Sequence, residues 1–325
     1  MIRQRPVELL APARNVECAM AAVDHGADAV YIGAPRFGAR ASAGNSVEDI
    51  ARVVEYAHTF RVKVYVTVNT ILKDEELPET ERLVWALYRV GVDALIVQDM
   101  ALLELDLPPI PLHASTQMDN RTPEKVKFLH GLGFSQVVLA RELSLAEIQA
   151  VHEACDVPLE VFVHGALCVS YSGQCYVSQH CFGRSANRGE CAQFCRLKFD
   201  MVDSDGRMIE QGRHLLSLKD MNRGADLERL LDAGVTSLKI EGRLKDVAYV
   251  KNVTAWYRSR LDEIFKRRPE YRRASSGQVS LAFTPCLEKS FNRGFTRYFL
   301  DGRTPDIFSF HTPKSLGEEV GTVKD

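Results

Sequence analysis

Nowhere in the 325 residues is there a run of the roughly 18 apolar residues that a membrane-crossing helix needs. The opening Met1-Ile-Arg-Gln-Arg-Pro6 also lacks the apolar stretch of a secretory signal. A cytoplasmic protein with no membrane partner is therefore expected. An excess of charge of one sign is missing too: 41 Lys and Arg face 43 Asp and Glu, so no global positive field advertises nucleic acid, and RNA binding would have to use local patches. No glycine-rich phosphate fingerprint follows the first apolar run, where Ala11-Pro-Ala-Arg14 stands instead, which argues against an open dinucleotide-binding sheet. What the chain does have is 46% hydrophobic and 26% charged residues, the balance of a folded protein with a sizeable core.

One pattern recurs four times: a glycine, a small or polar pair, then an apolar run. It appears as Gly26-Ala-Asp-Ala-Val-Tyr-Ile-Gly33, Gly91-Val-Asp-Ala-Leu-Ile-Val-Gln98, Gly133-Phe-Ser-Gln-Val-Val-Leu-Ala140 and Gly234-Val-Thr-Ser-Leu-Lys-Ile-Glu241. Amphipathic stretches such as 47–61 and 77–90 precede apolar runs, the second directly before Gly91, so a left-handed C-cap is expected to end each helix before a buried strand begins. With the other short apolar runs, eight strands are expected at 7–11, 29–32, 63–68, 94–97, 112–114, 137–140, 159–163 and 237–240. The fold class that follows is α/β, a parallel (β/α)8 TIM-type barrel. The expected division is a barrel over 1–267 that includes an insertion at 164–224, then a C-terminal extension over 268–325 that begins a small β domain.

Barrel chemistry sits where strands end. His113 and Gln117 follow the fifth strand, Arg141 ends the sixth, His164 the seventh, and Glu241 with Arg243 the eighth. His113, Gln117, Arg141, His164 and Glu241 are the candidate catalytic residues. Arg40, Lys239 and Arg243 are the cations expected beside an anionic co-substrate or RNA phosphate, since guanidinium groups grip such oxyanions in bidentate fashion. Any one of these taken singly reads equally well as a cap or an ion pair.

After the seventh strand come about sixty residues where a barrel loop normally has a few. This insertion carries five of the eight cysteines, and its second half, 197–216, reads as a hairpin around Asp203-Ser-Asp-Gly206. Cys168, Cys175, Cys191 and Cys195 are separated by six, fifteen and three residues. A structural zinc site usually offers two close cysteine pairs, so the spacing suits zinc poorly, whereas four thiolates converging from loops suit an iron–sulfur cluster. Two other readings stay open: small buried hydrophobes, which fits Cys18 and Cys155 on expected helices, and a nucleophilic thiol with His164 or His180 as base.

The stretch from Glu160 to Ser178 resembles the signature of the collagenase-like peptidase family of unknown catalytic type, with Glu160, Phe162, Gly165, Ala166, Leu167, Cys168, Gly173, Cys175, Val177 and Ser178 at pattern positions. Glu8-Leu-Leu-Ala-Pro-Ala13, Gly183-Arg-Ser-Ala-Asn-Arg-Gly189 and Lys239-Ile-Glu-Gly-Arg243 extend the likeness over nearly the whole chain. His113-Ala-Ser-Thr-Gln117, His164-Gly-Ala-Leu-Cys168 and Ala274-Ser-Ser-Gly277 are most similar to the branch that hydroxylates a cytidine of large-subunit ribosomal RNA. The resemblance implies a four-iron four-sulfur cluster on Cys168, Cys175, Cys191 and Cys195, with prephenate as oxygen source and ribosomal RNA as partner. Members of that branch continue well past residue 325, so a shortened chain or a fragment is expected here. The rivals are a peptidase, as the family name implies, and an accessory subunit whose cluster is only structural.

Overall fold

The structure is a computed structural model that describes residues 4–40, 43–317 and 321. In chain order the barrel units are β1 (Arg5–Ala13), α1 (Val16–Asp24), β2 (Ala29–Gly33), α2 (Val47–Thr59), β3 (Lys63–Val68), α3 (Leu77–Arg89), β4 (Ala94–Val97), β5 (Leu112–Ala114), α4 (Pro123–Gly131), β6 (Gln136–Val138), α5 (Leu145–Ala154) and β7 (Leu159–Gly165). The insertion then supplies α6 (Val177–Phe182), a hairpin of β8 (Phe199–Val202) and β9 (Met208–Arg213), and β10 (Asp220–Asn222). The eighth unit follows as α7 (Leu227–Asp232), β11 (Ser237–Ile240) and α8 (Val247–Arg267), and last come β12 (Tyr271–Arg273) and β13 (Phe295–Thr296).

Strands β1 to β7 pair in sequence, all parallel, and β11 joins β1 on one side and β7 on the other, so the sheet closes on itself with eight strands. The expected barrel is the observed one. Helices follow five of the first six strands; after β4 a short 3-10 turn at Met100–Glu104 takes the helix's place. The four repeat glycines sit at φ between +85° and +98°, as a left-handed helix cap requires. The sixth strand starts and stops early, at Gln136–Val138, and the Asn120 amide donates to the Val138 carbonyl at its end at 2.9 Å.

Two apolar layers hold the barrel. The larger lies between strands and helices, with Ile32, Val64, Leu95, Val161 and Leu238 against Ile50, Leu87, Tyr257 and Leu261. A smaller one fills the lumen with Leu10, Tyr31, Tyr65 and Ile96. Residues after α8 pack onto the same body: β12 pairs with β1 and β13 with β10. Among the described residues no helix is long and apolar enough to cross a membrane.

At the N-terminal end one buried carboxylate ties strands, helix and extension together. Asp28 accepts from the Leu9 backbone at 2.9 Å, Arg258 at 3.1 Å, Arg273 at 2.9 Å and the Ser275 hydroxyl at 2.6 Å. Replacing it leaves the fully buried Arg258 without its interior counter-charge, so Asp28→Ala is expected to cost about 3–5 kcal/mol, read as a lowered urea midpoint at unchanged slope.

Deeper in the lumen Glu8 accepts from Tyr65 at 2.6 Å and Ser237 at 2.8 Å. Burial outweighs both hydrogen bonds and pushes its carboxyl from 4.5 up to about 7. A carboxyl raised on folding gives stability that is complete below its unfolded value and is lost as pH climbs through the folded one. Wild type should therefore lose on the order of 3 kcal/mol through this group between pH 4.5 and 8. Glu8→Gln should flatten that slope. Equal slopes for the two proteins in denaturant titrations at pH 5 and pH 8 would contradict the assignment.

Candidate active site at the barrel mouth

Period-two alternation on β11 turns Ser237, Lys239 and Glu241 inward at successive heights. At the top, the Glu241 carboxylate receives Arg141 Nη2 at 2.9 Å and Arg40 Nη2 at 3.7 Å. Arg243 reaches the same space from the following turn, donating to the Thr67 hydroxyl, with its guanidinium 5.7 Å from the Tyr31 ring centre. Arg141 lies 3.7 Å over the Phe162 ring. Burial alone would raise the Glu241 carboxyl, but Arg40, Arg141 and Arg243 outweigh it and hold it below the ordinary carboxylate range. Burial in turn pulls the Arg243 guanidinium down to about 10.

One layer lower, Lys239 Nζ lies 2.5 Å from Glu160 Oε1 and 4.4 Å from the Tyr31 ring centre, and Gln136 donates to the other Glu160 oxygen at 2.6 Å. His113 is also deep, edge-on to Tyr65 at 4.7 Å with its Nδ1 buried and unpartnered. Burial, then the Lys239 and Lys63 charges, pull this imidazole down to about 3, so it stays neutral.

His164 does not join the group. Sequence alternation places 160, 162 and 164 on one face, but the β7–β11 register slips between Lys239↔Phe162 and Ile240↔His164, and such a bulge turns the side chain to the other face. His164 sits instead under α8, its ring 5.5 Å from Tyr257 and 6.1 Å from Tyr249, with Nδ1 3.4 Å from the Tyr257 hydroxyl. Burial, then Lys245, lowers it to about 3. It is a packing residue rather than a base for a loop thiol.

The cysteine insertion is fastened across the mouth at several points. Glu142, just past β6, accepts both the Ser172 backbone N–H and its hydroxyl at 2.9 Å. Gly173 lies so close to Gln117 that an added Cβ would run into its carbonyl oxygen, at φ +75°. Across the rim, Ile71 donates to the Asn187 carbonyl at 3.2 Å while Arg188 grips Glu76 through both nitrogens at 2.7 and 2.9 Å. That fork holds the Glu76 carboxyl down at about 2. Gln117 thus belongs to the seam between barrel and roof.

All eight cysteines are free thiols; Cys18 and Cys155 are buried, whereas Cys168, Cys181 and Cys191 are exposed and Cys175 and Cys195 half-buried. Although Cys168 keeps an open face, loss of water around its sulfur raises the thiol, and the Cys195 and Cys175 thiols add to the rise while Arg141 opposes it. Cys195 is raised in the same way, by burial and then by Cys191 and Cys175, against Arg196. The four sulfurs therefore feel one another, and the first feels the mouth arginine. Among the described residues no three His, Cys, Asp or Glu side chains stand close enough to hold a single metal ion. A cuboidal cluster interposes its own iron and sulfide between thiolates, so its ligands stand farther apart than the four of a tetrahedral zinc. Backbone N–H groups near sulfur, Gln193 to Cys191 at 3.4 Å and Ser170 to Cys168, suit bound thiolates.

Three participants escaped sequence reasoning. Tyr31 and Thr67 face the mouth and were legible from strand alternation; Tyr298 was not. Its buried ring packs with Phe162 and Leu167 from the extension, on a backbone at φ +56°.

Comparison with known proteins gives this geometry a lineage. The profile of peptidase family U32 matches residues 14–308. A "23S rRNA 5-hydroxycytidine C2501 synthase" of Escherichia coli is 56% identical over 98% of this chain, which spans 48% of that protein's length. A "tRNA hydroxylation protein P1" of Bacillus subtilis is 36% identical over 99% of this chain and 78% of its own, and a "Collagenase" of Porphyromonas gingivalis is 32% identical over 91% and 74%. With its profile matched almost end to end, the chain belongs to peptidase family U32.

Proposed function

We propose that the chain is the barrel of an RNA-modifying hydroxylase, forming 5-hydroxycytidine in large-subunit ribosomal RNA. The observation that carries this reading is a cationic barrel mouth roofed by a thiol-bearing loop. Three guanidiniums face one carboxylate there, an excess of two positive charges, while Lys239 and Glu160 cancel each other below. That balance suits an anionic co-substrate such as the dicarboxylate prephenate, which Arg40, Arg141 and Arg243 would orient. The 56% identity to the ribosomal RNA enzyme supports the substrate class.

Cys168, Cys175, Cys191 and Cys195 would hold a four-iron four-sulfur cluster, which when bound supplies one-electron redox chemistry beside the mouth; zinc is the alternative occupant. A target pyrimidine has to leave its stack to reach such a recess. Neutral His113 and the Tyr31 and Phe162 rings give the recess an aromatic floor that excludes water from under the arginines. A peptidase with a thiol nucleophile finds no support at His164, which faces α8.

Protein purified without oxygen should carry about four iron and four sulfide per chain. Alanine at Cys168, Cys175, Cys191 or Cys195 should abolish them, while Cys18→Ala and Cys155→Ala should not. Stoichiometric zinc without sulfide would overturn the cluster. Arg141→Ala and Arg243→Ala should keep the iron yet lower 5-hydroxycytidine in ribosomal RNA by 10-fold or more, on the order expected when a charge-assisted contact is lost. Nucleoside mass spectrometry on complemented deletion cells reads this; undiminished hydroxycytidine would remove the arginines from the site.

A further inference from the structure

Immediately after the last of the four cysteines stands a guanidinium that touches both ends of their loop. Arg196 closes the 3-10 turn Phe194–Arg196, and its Nη2 donates at 2.9 Å to the carbonyl of Leu167, the residue before Cys168. Its Nη1 donates at 2.9 Å to the Ser217 hydroxyl and at 3.2 Å to the Leu218 carbonyl, where the chain returns toward β10. The Arg196 carbonyl lies 2.9 Å from His214 Nδ1, which fixes the backbone on that side. One rigid planar fork thus bridges the strand that leaves the barrel, the turn bearing Cys195 and the returning chain.

The charge of this fork is not spent on an ion pair. All three acceptors of the guanidinium are neutral oxygens, and among the described residues no carboxylate lies within salt-bridge distance of it. The neighbouring Asp220 is already occupied by Arg293, which it meets at 2.8 and 3.0 Å. The group is half-buried, with its two terminal nitrogens turned onto the Leu167 carbonyl, the Ser217 hydroxyl and the Leu218 carbonyl. A half-buried cation held among neutral acceptors lacks a compensating anion, and the side chains able to provide one on ligation are the thiols on either side.

We propose that Arg196 is a positioning residue for the metal cluster, tethering Cys168 to Cys195 and offsetting the negative charge that thiolate ligation concentrates there. The inference rests on the reading of the four cysteines as ligands, and it adds a residue that touches no ligand position itself. It makes two separable claims. The fork sets the distance between the first and last ligands, and its charge favours the reduced cluster.

The test compares wild type with Arg196→Gln, Arg196→Lys and Ser217→Ala after anaerobic reconstitution, reading iron release to a chelator and the reduction midpoint by spectroelectrochemistry. Loss of a supporting contact around a metal ligand commonly costs 10–100-fold in affinity, so Arg196→Gln should release iron at least ~10-fold faster, with its midpoint shifted negative. Arg196→Lys keeps the charge and loses the two-ended fork, so release should quicken while the midpoint stays near wild type. Ser217→Ala removes one of three hydrogen bonds and should quicken release less. Arg188→Gln loosens the loop at its far anchor and should leave the midpoint unchanged. A loaded wild type matched by Arg196→Gln in both readouts overturns this inference alone. If Arg196→Gln does not fold, wild-type release from Arg196→Lys overturns the tether. A wild type that takes up no iron and sulfide overturns the ligand reading and this inference with it.

Discussion

Strand β7 pairs with three other strands, and the mouth depends on that. Its lower half pairs with β6 on one edge and β11 on the other, which closes the barrel. It then runs past the end of β6, and its last two residues, His164 and Gly165, pair antiparallel with Asn222 and Met221 of β10. The insertion therefore leaves and re-enters the rim at the same place. Because its two ends are fastened together, some sixty residues can lie between them at little further cost in closure entropy, which grows only slowly with loop length. Gly165 marks the joint: at φ +103°, a Cβ would stand 2.7 Å from the Glu241 carbonyl oxygen, so only glycine lets the exit of β7 run this close to the residue that anchors the mouth arginines.

Charge in the lumen is arranged in layers, and the order of those layers decides where an anion can be held. Glu160 would be costly alone at full burial, and Lys239 and Gln136 satisfy it at short range. Lys239 is paired there, and it acts on Glu241 above less than the three arginines do. The upper layer then contains Arg40, Arg141 and Arg243 against Glu241 alone. For Glu241 the contest between desolvation and attraction is won by attraction, and the carboxyl stays ionised. For His113, deep below the mouth with no carboxylate partner, desolvation wins and the ring stays neutral. Binding capacity for negative charge is thus confined to the rim, under the thiols.

The barrel itself was legible because its signals are local. A glycine cap followed by a short apolar run recurs at four of the units, and all eight expected strands fall on or within two residues of the observed ones. The hairpin around Asp203–Gly206 was legible for the same reason, since turn chemistry is written in adjacent residues. What misled was a single bulge: alternation is a rule about unbroken ladders, and the slip at Val163 moved His164 from lumen to helix layer. What stayed invisible was anything joined across long separations without a period. Arg196 reaching back 29 residues to Leu167, Glu142 reaching 30 to Ser172 and Arg188 reaching 112 to Glu76 leave no local trace. The proposed cysteine ligand set rests on resemblance and spacing, because residues brought near one another only by a folded loop have no periodicity to read.

Several residues that carried the family resemblance turn out to be joints rather than reacting groups. Glu160 locks β7 to β11 through Lys239, Gly173 admits the Gln117 carbonyl, Arg188 latches onto Glu76, and the buried Ser178 hydroxyl accepts the Ala192 N–H at 3.0 Å beside Cys191. A signature of this kind specifies how the roof is bolted to the barrel, and so where the thiols must hang. It leaves free the outward faces of the insertion, where Tyr171, Tyr176 and the hairpin residues Met201, Val202, Met208 and Ile209 are exposed. Substrate choice can then vary on those faces without disturbing the joints. That separation is a physical reason why one barrel and one roof can be shared by relatives named for ribosomal RNA, for transfer RNA and for collagen, and why the identity of the substrate has to be sought in the mouth and on the outer face of the insertion rather than in the signature.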